Sequence, residues 1–306
     1  MPSNGNYNGG IFGKSSSGIA TNCYSAYSIS GINSGGVFGP ESSGTATNCY
    51  SEGQINGSNA GGIFGAYSYG GATGCYSNGN IMSSNSGGIF GVGATGHANS
   101  CYGNGTIKLK ADGAGGIFGS NSGGTAENCT FNGRILADNA GGIYGSSSSS
   151  GTANNCSSNN IILGSNTGGV FGTESNGTSN DSSVTGEISG EESGGIFGAL
   201  STVEVSNCTS SNTILGYNAG GIVGGRSSGS VNSSSTSGII SGVGAGGIFG
   251  NQSSGTVTNS NSSGTISGYY SGGIFGEYAN SNAKAISSTG TGEVTGKYAG
   301  PIFGYR

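Results

Sequence analysis

Gly35-Gly36-Val37-Phe38-Gly39 is one copy of a five-residue phrase, Gly-Gly-aliphatic-Phe-Gly or a close variant, that recurs along the chain. The next copy, Gly61-Gly62-Ile63-Phe64-Gly65, follows 26 residues later. Twelve copies occur in 306 residues, at steps of 26 to 28 residues. Their aliphatic residues are Ile11, Val37, Ile63, Ile89, Ile117, Ile143, Val170, Ile196, Ile222, Ile248, Ile274 and Ile302. A fixed period of roughly 20 to 50 residues is typical of a stacked repeat architecture.

The composition separates this architecture from its competitors. Glycine supplies 70 of the 306 residues, which disfavours helices because each glycine in a helix interior costs about 0.5–1 kcal/mol relative to alanine. Collagen needs glycine at every third position with abundant proline, and the chain has only 3 prolines. Disorder is the remaining alternative for a chain rich in glycine and serine. The isoleucines and phenylalanines that recur in phase indicate a core instead.

Further positions recur in phase within each repeat. A small residue stands, in most repeats, 12 residues after the aliphatic of the phrase, and another aliphatic follows six residues later. We expect the cysteines at the first position to be buried free thiols, since stacked side chains suit disulfide dihedrals poorly. Asn before this position and Gly four residues after it, as in Gly53 and Gly79, are predicted corners because both residues tolerate a positive φ. The small residues are Cys23, Cys49, Cys75, Cys101, Cys129, Cys156, Ser182, Cys208, Ser234, Ser260 and Ser288.

These columns predict an all-β fold, a parallel β-solenoid (β-helix) of about 11–12 coils with 26–28 residues per coil. Each coil has three short strands, and residues 1–306 form a single domain. At about 4.8 Å per coil the rod is on the order of 55 Å long. One coil buries too few apolar side chains to offset the conformational entropy of its own ordering, so stability depends on stacking.

The phrase, followed by Gly44-Thr45-Ala46-Thr47-Asn48-Cys49-Tyr50-Ser51 and then by Gly53-Gln54-Ile55-Asn56-Gly57, resembles the GLUG-motif repeats. The resemblance covers essentially the whole chain. It implies a β-solenoid of the kind found in large adhesin-like surface proteins, and it implies no single biochemical activity. The chain departs from the family pattern in its Ile-Phe pairs and its cysteine column.

The charge pattern and the scattered polar residues exclude several function classes. A formal charge of −5 without Lys/Arg clusters argues against nucleic acid, and no apolar run is long enough to span a membrane. The start, Met1-Pro2-Ser3-Asn4-Gly5, lacks a secretory signal. The only histidine, His97, is placed in a surface loop, and no cysteine, histidine or acidic cluster has metal-ligand spacing. We therefore expect no enzyme activity, no cofactor and no metal.

Two aromatic columns are candidate functional surfaces. One follows the cysteines of the first four repeats, where it forms an outward ladder that either contacts sugars or simply stabilises the fold. The other belongs to the phrase: successive strand residues point to opposite faces, so Ile and Phe share one core only if the strand bends between them. Without a bend, the second column is an outward stripe for lateral association. The ladder comprises Tyr24, Tyr50, Tyr76 and Tyr102, and the stripe comprises Phe38, Phe64, Phe90, Phe118, Phe171, Phe197, Phe249 and Phe275.

The first and last phrases are candidate assembly ends. Gly9, Gly10, Ile11 and Phe12 open the first coil, and Gly300, Pro301, Ile302 and Phe303 close the last. Because these ends match in phase, the sequence predicts a head-to-tail homopolymer, a structural subunit of an extracellular or surface filament. Pro301 as a blunt end is the non-assembling alternative. An adhesin module that binds a glycan or cell-surface receptor is the alternative function, and an ice-binding solenoid is a remote one.

Overall fold

The computed structural model describes residues 5–305, which form a parallel β-solenoid without helices. The first sheet takes one strand from each of 11 coils. Its strands are β1 (Ile19–Thr21), β3 (Thr45–Thr47), β5 (Gly71–Thr73), β7 (His97–Asn99), β9 (Thr125–Glu127), β11 (Thr152–Asn154), β13 (Thr178–Asn180), β15 (Thr202–Ser206), β18 (Ser228–Asn232), β20 (Thr256–Thr258) and β22 (Lys284–Ile286). The predicted fold class is thereby confirmed.

The second sheet lies just after the small-residue column and has 12 strands, of which β17 pairs only with β14. Every pairing in both sheets is parallel and joins equivalent residues of neighbouring coils, as in Tyr50↔Tyr76. The strands are β2 (Tyr24–Ser25), β4 (Tyr50–Ser51), β6 (Tyr76–Ser77), β8 (Tyr102–Gly103), β10 (Thr130–Phe131), β12 (Ser157–Ile162), β14 (Ser183–Ile188), β16 (Thr209–Ser210), β17 (Thr213–Ile214), β19 (Ser235–Thr236), β21 (Asn261–Ser262) and β23 (Thr289–Gly290).

The phrase forms the third extended segment of each coil. It pairs with its neighbours through single bridges at its first glycine and at its phenylalanine, as in Gly35↔Gly61 and Phe38↔Phe64. Between these bridges the strand bends: the N–H groups of Ile63 and Phe64 both donate to the carbonyl oxygen of Ile89, at 3.0 and 2.8 Å. Two successive amides that share one acceptor turn both side chains to the same side.

Because of this bend, the phenylalanine column is part of the core. The relative exposure of Phe38, Phe64 and the other stripe residues is 0%. The outward stripe is therefore wrong, since the prediction of lateral association assumed a straight strand with alternating faces. The rings stack in parallel, with 4.7 Å between the centroids of Phe38 and Phe64 and an angle of 5°. The buried stripe residues are Phe38, Phe64, Phe90, Phe118, Phe171, Phe197, Phe249 and Phe275.

Glycine is required where the chain approaches these rings and the neighbouring coils. A Cβ atom on Gly70 would lie 3.0 Å from Cε1 of Phe64 and 2.2 Å from the carbonyl oxygen of Gly44. The predicted corners divide into two kinds. Asn48 has a left-handed φ of 51°, as predicted. Gly53 does not have a positive φ: a Cβ there would lie 2.1 Å from the carbonyl oxygen of Tyr27, so close approach and not a corner explains this glycine.

Small polar side chains fill the remaining columns. All seven cysteines are free, and each except Cys23 is buried, which confirms the expectation of buried thiols. Thiols donate to carbonyl groups of the neighbouring coil, as Cys49 Sγ does to Ala20 O at 3.5 Å. A buried serine column that the sequence interpretation missed follows each ring by four residues. There the amide of one coil donates to the hydroxyl of the next, as Ser175 N does to Ser201 Oγ at 3.2 Å.

Candidate functional site

The tyrosine ladder lies on the outer face of the second sheet. Tyr24, Tyr50 and Tyr76 stack in parallel, with centroid distances of 5.2 and 4.8 Å. Tyr102 pairs with Tyr76 through the backbone and is 43% exposed. Because stacking covers the ring faces, the ladder presents ring edges and hydroxyl groups to solvent. Sugar recognition by stacking needs an open ring face, so this arrangement favours the stabilising role over a glycan platform.

A second polar row runs two residues beyond the ladder. Asn78 Nδ2 donates to the carboxylate of Glu52 at 3.0 Å, Asn104 Nδ2 to Asn78 Oδ1 at 2.9 Å, and Asn132 Nδ2 to Asn104 Oδ1 at 3.1 Å. These amides use one another as partners from coil to coil. The row therefore closes a hydrogen-bond ladder on the surface, in the same way that the tyrosines close a stack.

The outer face of the first sheet does not carry a regular threonine row. The residues that pair along it after Thr45 include Gly71, His97 and Glu204, which interrupt the threonines. His97 lies in β7 and not in a loop, and its Nε2 is 3.3 Å from the carboxylate of Glu127. An ice-binding surface requires a repeated threonine pattern that this face lacks.

The predicted assembly ends are the first and last phrases of the described stack. Gly9 bridges to Gly35 and Phe12 to Phe38, while Gly300 bridges to Gly272 and Phe303 to Phe275. Ile11 is 50% exposed, whereas Val37 at the equivalent position of the next coil is fully buried. Each end is thus built like an interior coil but is covered on one side only. Gly10 and Pro301 are exposed, and Ile302 is half-buried.

Near the C-terminal end lies a tyrosine cluster that the sequence interpretation missed. Tyr270 and Tyr298 stack with centroids 5.4 Å apart, and Tyr305 meets both edge-on. Tyr278 also contacts Tyr305, and the carboxylate of Glu277, together with partial desolvation, raises its pKa. These residues line a surface cavity of about 370 Å³. The signal in the sequence was the spacing of Tyr270 and Tyr298, which equals one 28-residue coil.

Several site classes are missing from the residues that the structure describes. Residues 5–305 contain no group of three or more His, Cys, Asp or Glu side chains that could hold a metal ion. No helix within this range is long and apolar enough to cross a membrane.

Comparison of the chain with protein-family models, with curated proteins and with solved structures finds no match. The class of protein that the structure defines is a parallel β-solenoid repeat protein. The resemblance to the GLUG repeats stays a prediction from the sequence.

Proposed function

We propose that this protein is a structural, self-associating β-solenoid that forms a filament by end-to-end contact. The observation that supports this is the exposure of apolar residues in columns that are buried everywhere else. Ile11 is 50% exposed at one end and Val294 is 37% exposed at the other, while Ile266, one coil before Val294, is fully buried. A coil from a second copy would cover these side chains and restore each column.

Backbone groups at the ends support the same contact. In the interior, each phrase donates to the next, as Ile274 N does to Ile302 O at 3.0 Å. The Ile302 N–H has no partner among residues 5–305, and β1 and β22 are the outer strands of their sheet. Unpaired strand edges are templates for pairing with another chain. A head-to-tail contact has the same geometry at every junction and therefore propagates into a filament.

The order of the elements limits where the two copies touch. The first phrase precedes β1, and the last phrase follows β22 and β23. A second copy placed phrase on phrase therefore sets its β1 two strand spacings above β22, about 9.6 Å. The sequence prediction treated the ends as fully complementary; the described coils instead match on the phrase side and leave a gap one strand wide on the sheet side. We accordingly expect association that is weak and strongly dependent on concentration.

The test is negative-stain microscopy and light scattering of the purified chain across a concentration series. We expect rods whose length grows with concentration. Replacing Ile11 with Lys should shorten them, because a charge would be buried at the junction. Ile239→Lys is the matched control, since Ile239 is also 50% exposed but lies in the middle of the stack. Monodisperse short rods of the unaltered chain at high concentration would overturn the proposal.

An extracellular or surface location belongs to the same proposal. A filament of this kind works as a mechanical element, and its outer face of serine, asparagine and threonine suits contact with water. The stacked tyrosines offer edges and not faces to a sugar, and for that reason we place the filament ahead of the adhesin module.

A further inference from the structure

We infer that Tyr298 of one copy stacks on Tyr7 of the next copy and that this aromatic pair is the side-chain contact that sets the register of the junction. The inference rests on the proposed end-to-end association and names the residues that recognise the second copy.

Tyr7 and Tyr298 occupy the same column of the solenoid. Both have a left-handed backbone, with φ of 62° and 59°, at the corner five residues before the phenylalanine of the phrase. Between Tyr7 and Tyr270 the column contains asparagine, glycine and one glutamate. Large rings are thus confined to the two ends of the described stack. The intervening residues are Asn33, Asn59, Asn85, Gly113, Asn139, Asn166, Glu192, Asn218 and Gly244.

The interior shows that side chains of this column meet across one coil step. Tyr270 and Tyr298 stack with an angle of 5° and a centroid distance of 5.4 Å. The asparagines behave likewise, since Asn59 Nδ2 donates to Asn33 Oδ1 at 3.0 Å. A second copy seated one coil step beyond the last phrase would therefore bring its Tyr7 ring over Tyr298 and extend the pair into a stack of three.

The backbone supports the same placement. The Tyr270 N–H donates to the carbonyl of Lys297, the residue before Tyr298, at 3.1 Å. The Tyr298 N–H has no partner among residues 5–305. In the junction it would donate to the carbonyl of Asn6, the residue before Tyr7 in the second copy. This placement lies on the phrase side, where the two copies are able to touch.

Two lysines now lie near the ring faces. Lys297 Nζ is 4.9 Å from the centroid of Tyr298, and Lys14 Nζ is 6.0 Å from that of Tyr7. Such exposed cation–π contacts are weak, so the flexible lysine side chains can withdraw when a ring arrives. Tyr305 meets Tyr298 edge-on at 6.1 Å and holds that ring in place from the side.

Photo-oxidative dityrosine cross-linking followed by peptide mass spectrometry tests the pair. Within one copy Tyr7 and Tyr298 are on the order of 50 Å apart, so a Tyr7–Tyr298 adduct joins two copies. We expect this adduct in the assembled fraction and its loss on dilution. The stacked Tyr270–Tyr298 pair serves as the internal positive control, because it lies within one chain at every concentration.

A matched set of variants separates this inference from the proposed function. Tyr7→Asn restores the residue typical of the column and should raise the concentration needed for assembly roughly 2- to 12-fold. Tyr217→Asn, at an exposed tyrosine of the middle coils, should leave it unchanged. Filaments that form without the adduct and are indifferent to Tyr7→Asn would overturn the stacked pair while leaving end-to-end association intact. A chain that stays monomeric would overturn both.

Discussion

Val203 and Val223 exchange volume between two columns of the core. In most coils a glycine lies six residues after the ring of the phrase; Val203 stands at this position after Phe197. One coil later the ring itself is replaced by Val223, and both valines are buried. Gly151 shows why the two changes belong together: its added Cβ would lie 2.9 Å from Tyr144 and 3.0 Å from Phe171, so this position touches the rings of two successive coils.

This relationship predicts strong coupling between the two positions. Val223→Phe alone should destabilise the fold by about 1–3 kcal/mol through overpacking against Val203. Val203→Gly alone should cost a similar amount because it leaves a cavity. The double variant should recover most of both losses, since it restores the ring and glycine of the other coils. Denaturant unfolding midpoints of the four proteins measure the coupling, and strictly additive effects would contradict the exchange of volume.

Neighbouring glycines should respond differently to the same substitution. Gly70→Ala should destabilise the protein by more than about 1 kcal/mol, because the new Cβ meets both Phe64 and the Gly44 carbonyl. Gly71→Ala is the matched control: a Cβ there has nothing within 4 Å, and alanine restricts the unfolded chain. Thermal unfolding of the two variants compares them directly. Equal effects at Gly70 and Gly71 would show that backbone entropy, and not the ring contact, selects Gly70.

The stability of the protein should fall in alkaline solution. Burial raises the pKa of Cys208, and burial also raises the pKa of Tyr144. Stability from such a raised pKa is complete below the pKa of the unfolded group, about 8.5 for a thiol, and is lost as the pH rises toward the folded pKa. Cys208→Ser should therefore flatten the decline of the unfolding midpoint between about pH 8.5 and 10. An identical pH profile for this variant would contradict the assignment.

Leu200 is a strained residue that invites a stabilising change. It is exposed and has a left-handed φ of 59°, a conformation that suits asparagine or glycine. Leu200→Asn should raise stability by about 1 kcal/mol, as measured by chemical unfolding. Leu215→Asn is the control, because Leu215 is equally exposed without a positive φ. A gain of the same size at Leu215 would indicate a general surface effect.

The period of the sequence was enough to predict the fold. Equivalent residues 26 to 28 positions apart pair directly, as Ala46 does with Ala72, because a parallel solenoid has no freedom to place them elsewhere. The tyrosine ladder followed from the same reasoning. Its direction was predictable too, since Tyr50 stands next to the buried Cys49 in an extended strand.

The fate of the phenylalanines was not predictable by the same argument. Alternation along a straight strand gives opposite faces to Ile63 and Phe64, and only the hydrogen bonds of the bend place both inside. The buried serines were missed because hydroxyl groups are usually assigned to the surface. Ser201 and Ser227 are buried because each accepts a backbone N–H from the coil before it. The tyrosine cluster depends on Tyr305 meeting Tyr298, a contact between residues that no period relates.

In-register pairing of like residues also makes the molecule a ruler with a fixed unit. Removing one whole coil, or duplicating one, leaves Phe38 facing another ring and Cys49 facing another small residue, and shortens or lengthens the rod by about 4.8 Å. The 28-residue coils show that a two-residue excess, as around Lys108–Gly113, is absorbed outside the ladders. Unequal recombination between repeats of such a gene can therefore adjust length without selecting a new fold.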